Sequence, residues 1–357
     1  MSLTLSGRWS ADQANAWYAE LPYLIGVNYT PSTAINQLEM WQAETFDLAT
    51  IERELQWAQQ IGINTLRVFL HDLLFDQDAE GFMQRIDQFL TVAERYGHRV
   101  MLVIFDNVWN PEAQLGRQPE PVRNVHNSGW VQSPTQDILA DIDQHDRLKP
   151  YFQTVMQRFA NDPRVLIWDI FNEPGQPNVG SYYDVEIENK DEVTAVLLQK
   201  AFAWAREVNP SQPITAGGFS LDWARHWRID PPLPLLNEIM FANSDVISFH
   251  AYQSPEDMNL VIEPLKAYNR PILCTEWMAR VVDCRIQNVL PVLKEHNVGS
   301  YMWGFVAGKT QTNCSWSSWV EDDPQVPEPW FHDIVYPDGR PYDEAEIACL
   351  KKIAHDG

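Results

Sequence analysis

The run Val165-Leu166-Ile167-Trp168-Asp169-Ile170-Phe171-Asn172-Glu173-Pro174-Gly175 decides how the rest of the 357-residue chain is read. Residues 165–171 are apolar, β-branched and aromatic, the pattern of a strand buried on both faces in a parallel sheet. The pattern stops abruptly. Asn172 and Glu173 are polar, Pro174 has no N–H for a sheet ladder and Gly175 suits a turn, so the Glu173 carboxylate is expected where the strand leaves the sheet. Parallel α/β proteins bind their ligands at that end. Alone, Glu173 reads equally well as an ordinary loop glutamate.

A second stretch, Pro271-Ile272-Leu273-Cys274-Thr275-Glu276-Trp277, repeats the pattern of an apolar run ending in a glutamate. Two carboxylates at the carboxyl ends of two strands in one barrel can face each other across its mouth. Glycoside hydrolysis needs such a pair, one acid to protonate the leaving oxygen and one carboxylate to attack or to activate water.

Outward from these two runs the chain alternates strands and helices. Strands are expected over 21–29, 64–71, 99–106, 165–171, 214–219, 246–252, 271–276 and 299–306. Helices are expected over 50–61, 81–96, 147–161, 190–208, 258–268, 285–296 and 344–353, with proline-broken helical material over 221–244. Eight such units with no linker or shift in composition predict one domain over 1–357, a single (β/α)8 TIM barrel of the α/β class. An open doubly wound sheet is the alternative, but Gly26-Val27-Asn28 is no glycine-rich phosphate turn.

Three connections are long, at 30–47, 107–146 and 307–342. All leave carboxyl ends of strands, so they are expected to converge on the catalytic face and make a pocket for short oligosaccharides or glycosides. They carry Trp41, Trp109, Trp130, Trp316, Trp319 and Trp330.

Composition bounds the function classes. Hydrophobic residues make up 45% and charged residues 21%, a globular balance, and a net charge of −23 argues against nucleic acid and polyanionic glycans. Cys274, Cys284, Cys314 and Cys349 have no metal-ligand spacing. No stretch reaches the length of an apolar membrane span, and Met1-Ser2-Leu3-Thr4-Leu5-Ser6-Gly7-Arg8 lacks the apolar core of a secretion signal. These features predict a cytoplasmic protein with no membrane partner, unless a signal has been replaced by a short leader. Oligomeric state is not legible at this level.

Arg67 interrupts the apolar second strand, and a buried guanidinium must find an anion. With Asn172-Glu173-Pro174 ending strand four and Glu276 ending strand seven, the chain resembles the clan A glycoside hydrolases. More closely it resembles glycoside hydrolase family 5, the cellulase and mannanase family. Arg67, His250-Ala251-Tyr252 on strand six and Trp303 on strand eight match that family's pattern. One position departs from it: the family usually has a histidine at the end of strand three, where this chain has Asp106-Asn107.

The resemblance implies roles. Glu276 is expected to be the nucleophile, with Arg67 lowering its pKa and Tyr252 orienting it. Glu173 is the expected general acid/base, its pKa raised by the charge of Glu276. Asn172 is expected to bond the sugar 2-hydroxyl, His250 to orient Glu173, and Trp303 to carry the sugar ring; Trp41, Trp277, Asp106 and Asn107 are further substrate-binding candidates. The bland readings are a core histidine for His250, a structural ion pair for Arg67 and core packing for Trp303. The expected substrate is an uncharged oligosaccharide or glycoside, with no cofactor and no metal. A sugar-binding barrel without catalysis would lack one of the two acids, whereas a metal-dependent barrel hydrolase would draw on His71-Asp72, Asp106 and His250.

Overall fold

The computed structural model describes residues 4–178, 180–218 and 235–355. Eight parallel strands close into a barrel in sequential order. They are β1 (Ile25–Asn28), β2 (Thr65–Phe69), β3 (Arg99–Val103), β4 (Val165–Asn172), β5 (Ile214–Gly218), β6 (Ile247–His250), β7 (Ile272–Trp277) and β8 (Gly299–Trp303). Every expected strand is present, mostly shorter than its apolar run. The ends of those runs continue as buried loop, as Ile104 and Phe105 do after β3. Phe219 and the proline-rich part of 221–244 lie outside the described residues.

The expected helices are also found, and several extend beyond their periodic core. The helix after β2 spans Asp72–Arg95, with non-helical dihedrals at Asp78, so the amphipathic stretch from 81 onward is its second arm. Among the described residues, three α-helices are additional to those expected: Ala11–Ala19, Gln37–Trp41 and Gln136–Ala140. The first brings Tyr18 onto Leu24, Met101, Ile167, Leu273 and Tyr301, in a cluster shared with the lower barrel interior. Among the described residues no helix is long and apolar enough to cross a membrane.

Side-chain parity decides which residues enter the barrel. On β2, Leu66 and Val68 pack into the helix-facing core, so Thr65, Arg67 and Phe69 point inward. On β7, Leu273 belongs to the interior cluster, and strict alternation from it would send Glu276 outward. A register shift between Cys274 and Trp277 reverses the parity. Glu276 therefore faces the barrel mouth, and Trp277 goes into the helix-facing core. A similar shift between Asp169 and Asn172 on β4 leaves Ile170 and Phe171 in the outer core and lets Asn172 point inward. Irregularities of this kind re-aim side chains beside active sites.

Candidate active site

The centre of the mouth is organised by Arg67, which is fully buried. Its Nε and Nη2 donate to Asp169 Oδ2 at 2.9 and 2.8 Å. Nη1 donates to Asn28 Oδ1 at 2.8 Å and to Glu276 Oε1 at 3.0 Å, and Nη2 also reaches Asn172 Oδ1 at 2.6 Å. One planar cation thus ties together side chains from β1, β4 and β7. Gly217 leaves room for it: a Cβ there would come within 3.2 Å of Arg67 Nη2 and 3.1 Å of His250 Nε2.

Glu276 receives a second bond, from the Tyr252 hydroxyl to Oε2 at 2.9 Å. Across from it, Glu173 Oε1 lies 2.7 Å from His250 Nδ1, which stands 3.6 Å from Glu276 Oε2. Burial holds the His250 pKa down to about 4, so the ring is neutral at pH 7. Its Nε2 has no partner among the described residues. Placing the single ring hydrogen on Nδ1 lets it serve Glu173 and leaves no buried N–H unpaired. Glu173 itself has a positive φ of 43°, a left-handed conformation in which a glutamate is rare.

Burial is the largest cause pushing both carboxyls up to about 7. This corrects the expectation for Glu276. The Arg67 cation and the Tyr252 hydroxyl do pull its pKa down, but desolvation outweighs them and the neighbouring Glu173 adds to the rise. The guanidinium is already shared with Asp169. For Glu173, too, the main cause of the shift is burial rather than the charge of Glu276.

Two acids titrating together near 7 separate into two steps, one on each side of that value. The direct bonds from Arg67 and Tyr252 favour the charge on Glu276, and with that order Glu173 keeps the remaining proton. The expected result is a narrow bell in kcat/KM centred near pH 7. Activity falls on the acid side as Glu276 takes a proton, and on the alkaline side as Glu173 loses one. In Glu173→Gln, assayed on a substrate with an activated leaving group, the alkaline limb disappears and the acid limb stays in place, because Glu173 is already uncharged while Glu276 ionises. An unchanged profile in that variant would remove Glu173 from the alkaline limb.

Asp106 stands at the end of strand three, the position where the chain departs from the pattern it resembles, and it is fully buried. Its Oδ1 accepts from Asn172 Nδ2 at 2.9 Å and its Oδ2 from Trp130 Nε1 at 2.7 Å. With Arg67 on the amide oxygen and Asp106 on the nitrogen, the Asn172 side chain has one orientation, with a second N–H left over for a ligand. Trp303 is 8% exposed and packs with Phe69, Val103 and Trp130. It thus presents a small accessible surface at the mouth.

Three substrate-binding candidates are placed elsewhere. Trp41 is buried against Phe46, Phe82 and Phe89 and donates its Nε1 to the Phe69 carbonyl at 2.8 Å, so neither face is available to a sugar. Trp277 lies in the helix-facing core for the parity reason given above. Asn107 accepts from the Gly175 N–H at 2.7 Å and from the Thr194 hydroxyl at 3.0 Å, so its side chain anchors the turn that follows Glu173.

The long connections do converge. Trp109 stacks on Trp319 with centroids 5.8 Å apart, and Trp316 meets Tyr252 edge-on at 4.9 Å. Trp330 instead stacks on Tyr342 with centroids 4.5 Å apart. The rim is hydrogen-bonded to itself: Trp319 Nε1 donates to the His126 carbonyl at 2.7 Å, the Asn127 N–H to the Thr310 carbonyl at 2.9 Å, and the Lys309 N–H to the Ser32 carbonyl at 3.0 Å. Asp169 and Asn28 are site residues that sequence reasoning missed. Asp169 had a signal, an acid in the middle of an apolar run.

A closed parallel barrel with two facing glutamates at the ends of β4 and β7 is the architecture of a glycoside hydrolase. The family model for cellulase (glycosyl hydrolase family 5) matches residues 27–323. The chain belongs to this family, and it is an O-glycosyl hydrolase. No curated protein matches it in sequence. Among solved structures it is similar to GH5_18 of Streptomyces cattleya in complex with GlcNAc, with TM-score 0.63 and 14% identity over 94% of this chain and 80% of that one. It is also similar to an exo-beta-1,4-mannosidase of an Opitutaceae bacterium, strain TAV5, with TM-score 0.61 and 17% identity over 100% of this chain and 62% of that one. An endo-1,4-beta-D-mannanase of Thermotoga petrophila RKU-1 aligns with TM-score 0.56 and 14% identity over 94% of this chain and 100% of that one. At such identities these likenesses carry the fold alone.

Proposed function

We propose that the protein is a retaining hydrolase of β-linked glycosides and short oligosaccharides, with Glu276 as nucleophile and Glu173 as acid/base. One observation carries the reading: a carboxylate oxygen of Glu173, one of Glu276 and a ring nitrogen of His250 all lie within 4.8 Å of one another. An inverting mechanism needs its carboxyl groups about 6.5–9.5 Å apart to admit the attacking water, whereas a retaining pair stands about 5–5.5 Å apart. Solved barrels of the same fold that hold GlcNAc and Manb1-4GlcNAc support an uncharged sugar as substrate.

In this reading Glu276, held by Arg67 and Tyr252, attacks the anomeric carbon of a sugar lying against Trp303. Glu173, held through one oxygen by His250, gives the proton on its other oxygen to the departing glycosidic oxygen. The spare N–H of Asn172 donates to the 2-hydroxyl as charge develops on the ring. Once the glycosyl ester on Glu276 has formed, Glu173 is ionised and draws a proton from the incoming water. The hydrogen-bonded rim favours short substrates over a polymer lying along an open cleft.

Proton NMR of early turnover tests the assignment, with the expected product appearing first in the substrate's own anomeric configuration. An inverted first product would overturn Glu276 as nucleophile. Since Glu173, His250 and Glu276 could also hold a divalent cation, the assay is repeated with a chelator. Loss of activity there would replace the two-glutamate mechanism by a metal-dependent one.

A further inference from the structure

A cavity opens beside Trp303 on the side of the barrel formed by β8, β1 and β2. Its lining includes Asn28, Trp130, Trp303, Asn127, Thr312 and Asp333. By strand order this side lies across the barrel from β4, which carries Glu173. Asn28 joins it to the catalytic centre, because its Oδ1 accepts from the same Arg67 nitrogen that holds Glu276.

Two of the lining side chains have unused hydrogen-bonding capacity. Asn127 is fully buried, yet among the described residues neither its amide oxygen nor its amide nitrogen has a partner, so exchanging the two atoms leaves the deficit unchanged. Its backbone is held, with the N–H on the Thr310 carbonyl and the carbonyl accepting from the Trp130 N–H at 3.1 Å. Asp333 is 1% exposed. Its Oδ1 accepts from the Thr312 hydroxyl at 2.8 Å, and its Oδ2 has no partner among the described residues. Its backbone carbonyl takes a bond from Arg280 Nη2 at 2.7 Å. An unpaired amide and an unpaired carboxylate oxygen buried beside an indole are costly to leave unmatched, and a polyol matches all three.

The cavity is small. Its volume is about 20 Å³, room for a water or two and hence for a hydroxyl or hydroxymethyl group, and too little for a second sugar ring. Gly304 keeps even that space open, since a Cβ there would come within 2.5 Å of Asp333 Oδ1.

We propose that Asn127 and Asp333 bind the distal hydroxyls of one terminal sugar ring lying on Trp303, so that the enzyme removes single sugars from the nonreducing end of its substrate. This rests on the glycoside hydrolase reading above. The edge of the ring opposite the anomeric carbon carries the hydroxyls through which a longer chain would continue, and this cavity has room for those hydroxyls but not for a further ring. A hydroxyl donating to Asp333 Oδ2 also stabilises a carboxylate whose pKa burial has pushed up to about 6.

The test begins with the unmodified enzyme. Aryl β-glycosides identify the sugar that is cleaved, and a β-linked tetrasaccharide of that sugar, labelled at its reducing end, is then digested. The expected products are a ladder shortening by one unit and free monosaccharide from the first time point. Methylation of the terminal distal hydroxyl slows cleavage about 10- to 100-fold, the worth of a hydrogen bond to a charged group. Disaccharides as the first products overturn this inference and leave the hydrolase reading standing, whereas failure to cleave any β-glycoside overturns that reading itself. The ratio of rates on methylated and unmethylated substrate is next measured in Asp333→Ala, and in Asn127→Ser should the first variant fold poorly. A ratio close to one supports the assignment, and a ratio equal to that of the unmodified enzyme overturns it; each is measured within one variant, so a general loss of activity cancels.

Discussion

Replacing Glu173 or Glu276 by alanine lowers turnover on an unactivated glycoside by at least about a thousandfold, and the two losses have different signatures. Without Glu276 no glycosyl ester forms, and changing the leaving group restores little. Without Glu173, Glu276 remains held by Arg67 and Tyr252. A substrate whose leaving group needs no proton therefore still glycosylates Glu276, and the ester accumulates because nothing activates water. Azide, which needs no general base, then speeds breakdown and yields the glycosyl azide. Burst kinetics and product analysis with and without azide read this out, and full activity in either variant would remove that residue from the mechanism.

A fold defect is excluded by the accompanying stability measurement. Each carboxyl has a pKa of about 7 in the folded protein, against about 4.3 for an ordinary glutamate. Between those values the unfolded chain holds fewer protons than the folded one, so stability falls as pH rises through that window. Glutamine at either position removes this loss, so at pH 7 the Glu→Gln variants are expected to melt no lower than the parent while losing turnover of unactivated glycosides.

How much of this was legible in the sequence follows from which interactions are local. The two glutamates, Asn172 and Arg67 stood out because a polar residue in or at the end of an apolar strand has few uses other than a site. Asp169 obeyed the same rule and was passed over, although it makes the closest charge pair to Arg67. Trp277 and Trp41 failed as candidates for a reason of parity and packing. Position in a strand or loop names a neighbourhood, whereas the face a side chain takes depends on a register shift such as that between Cys274 and Trp277. Asn127 and Asp333 carried no signal in their own stretches. They sit in two long irregular connections more than two hundred residues apart in the chain, and only the folding of one rim onto the other gives their side chains a common cavity.

Arg67→Met is expected to destabilise the protein by about 3–5 kcal/mol and to reduce activity at least about a hundredfold, and a second substitution separates the two effects. Asp169 is fully buried; its Oδ2 takes two bonds from the guanidinium, while its Oδ1 has the Gly217 N–H at 3.2 Å. Removing the cation strands that charge in the barrel interior, which is where most of the stability loss arises. Replacing the ion pair as a whole, in Arg67→Met/Asp169→Leu, removes the stranded charge and fills the space with apolar atoms, an exchange that is often neutral or better. Stability measured by denaturant unfolding should therefore recover in the double variant. Activity should not. Glu276 would lose the cation that lets it ionise at neutral pH, and Asn172 the anchor on its amide oxygen, so the nucleophile's pKa climbs and the acid limb of the pH profile moves to higher pH. A single variant as stable as the parent would mean that Asp169 is satisfied without Arg67. A double variant with parental kinetics and an unmoved acid limb would make the arginine a structural ion pair and leave Tyr252 as the main group holding the nucleophile.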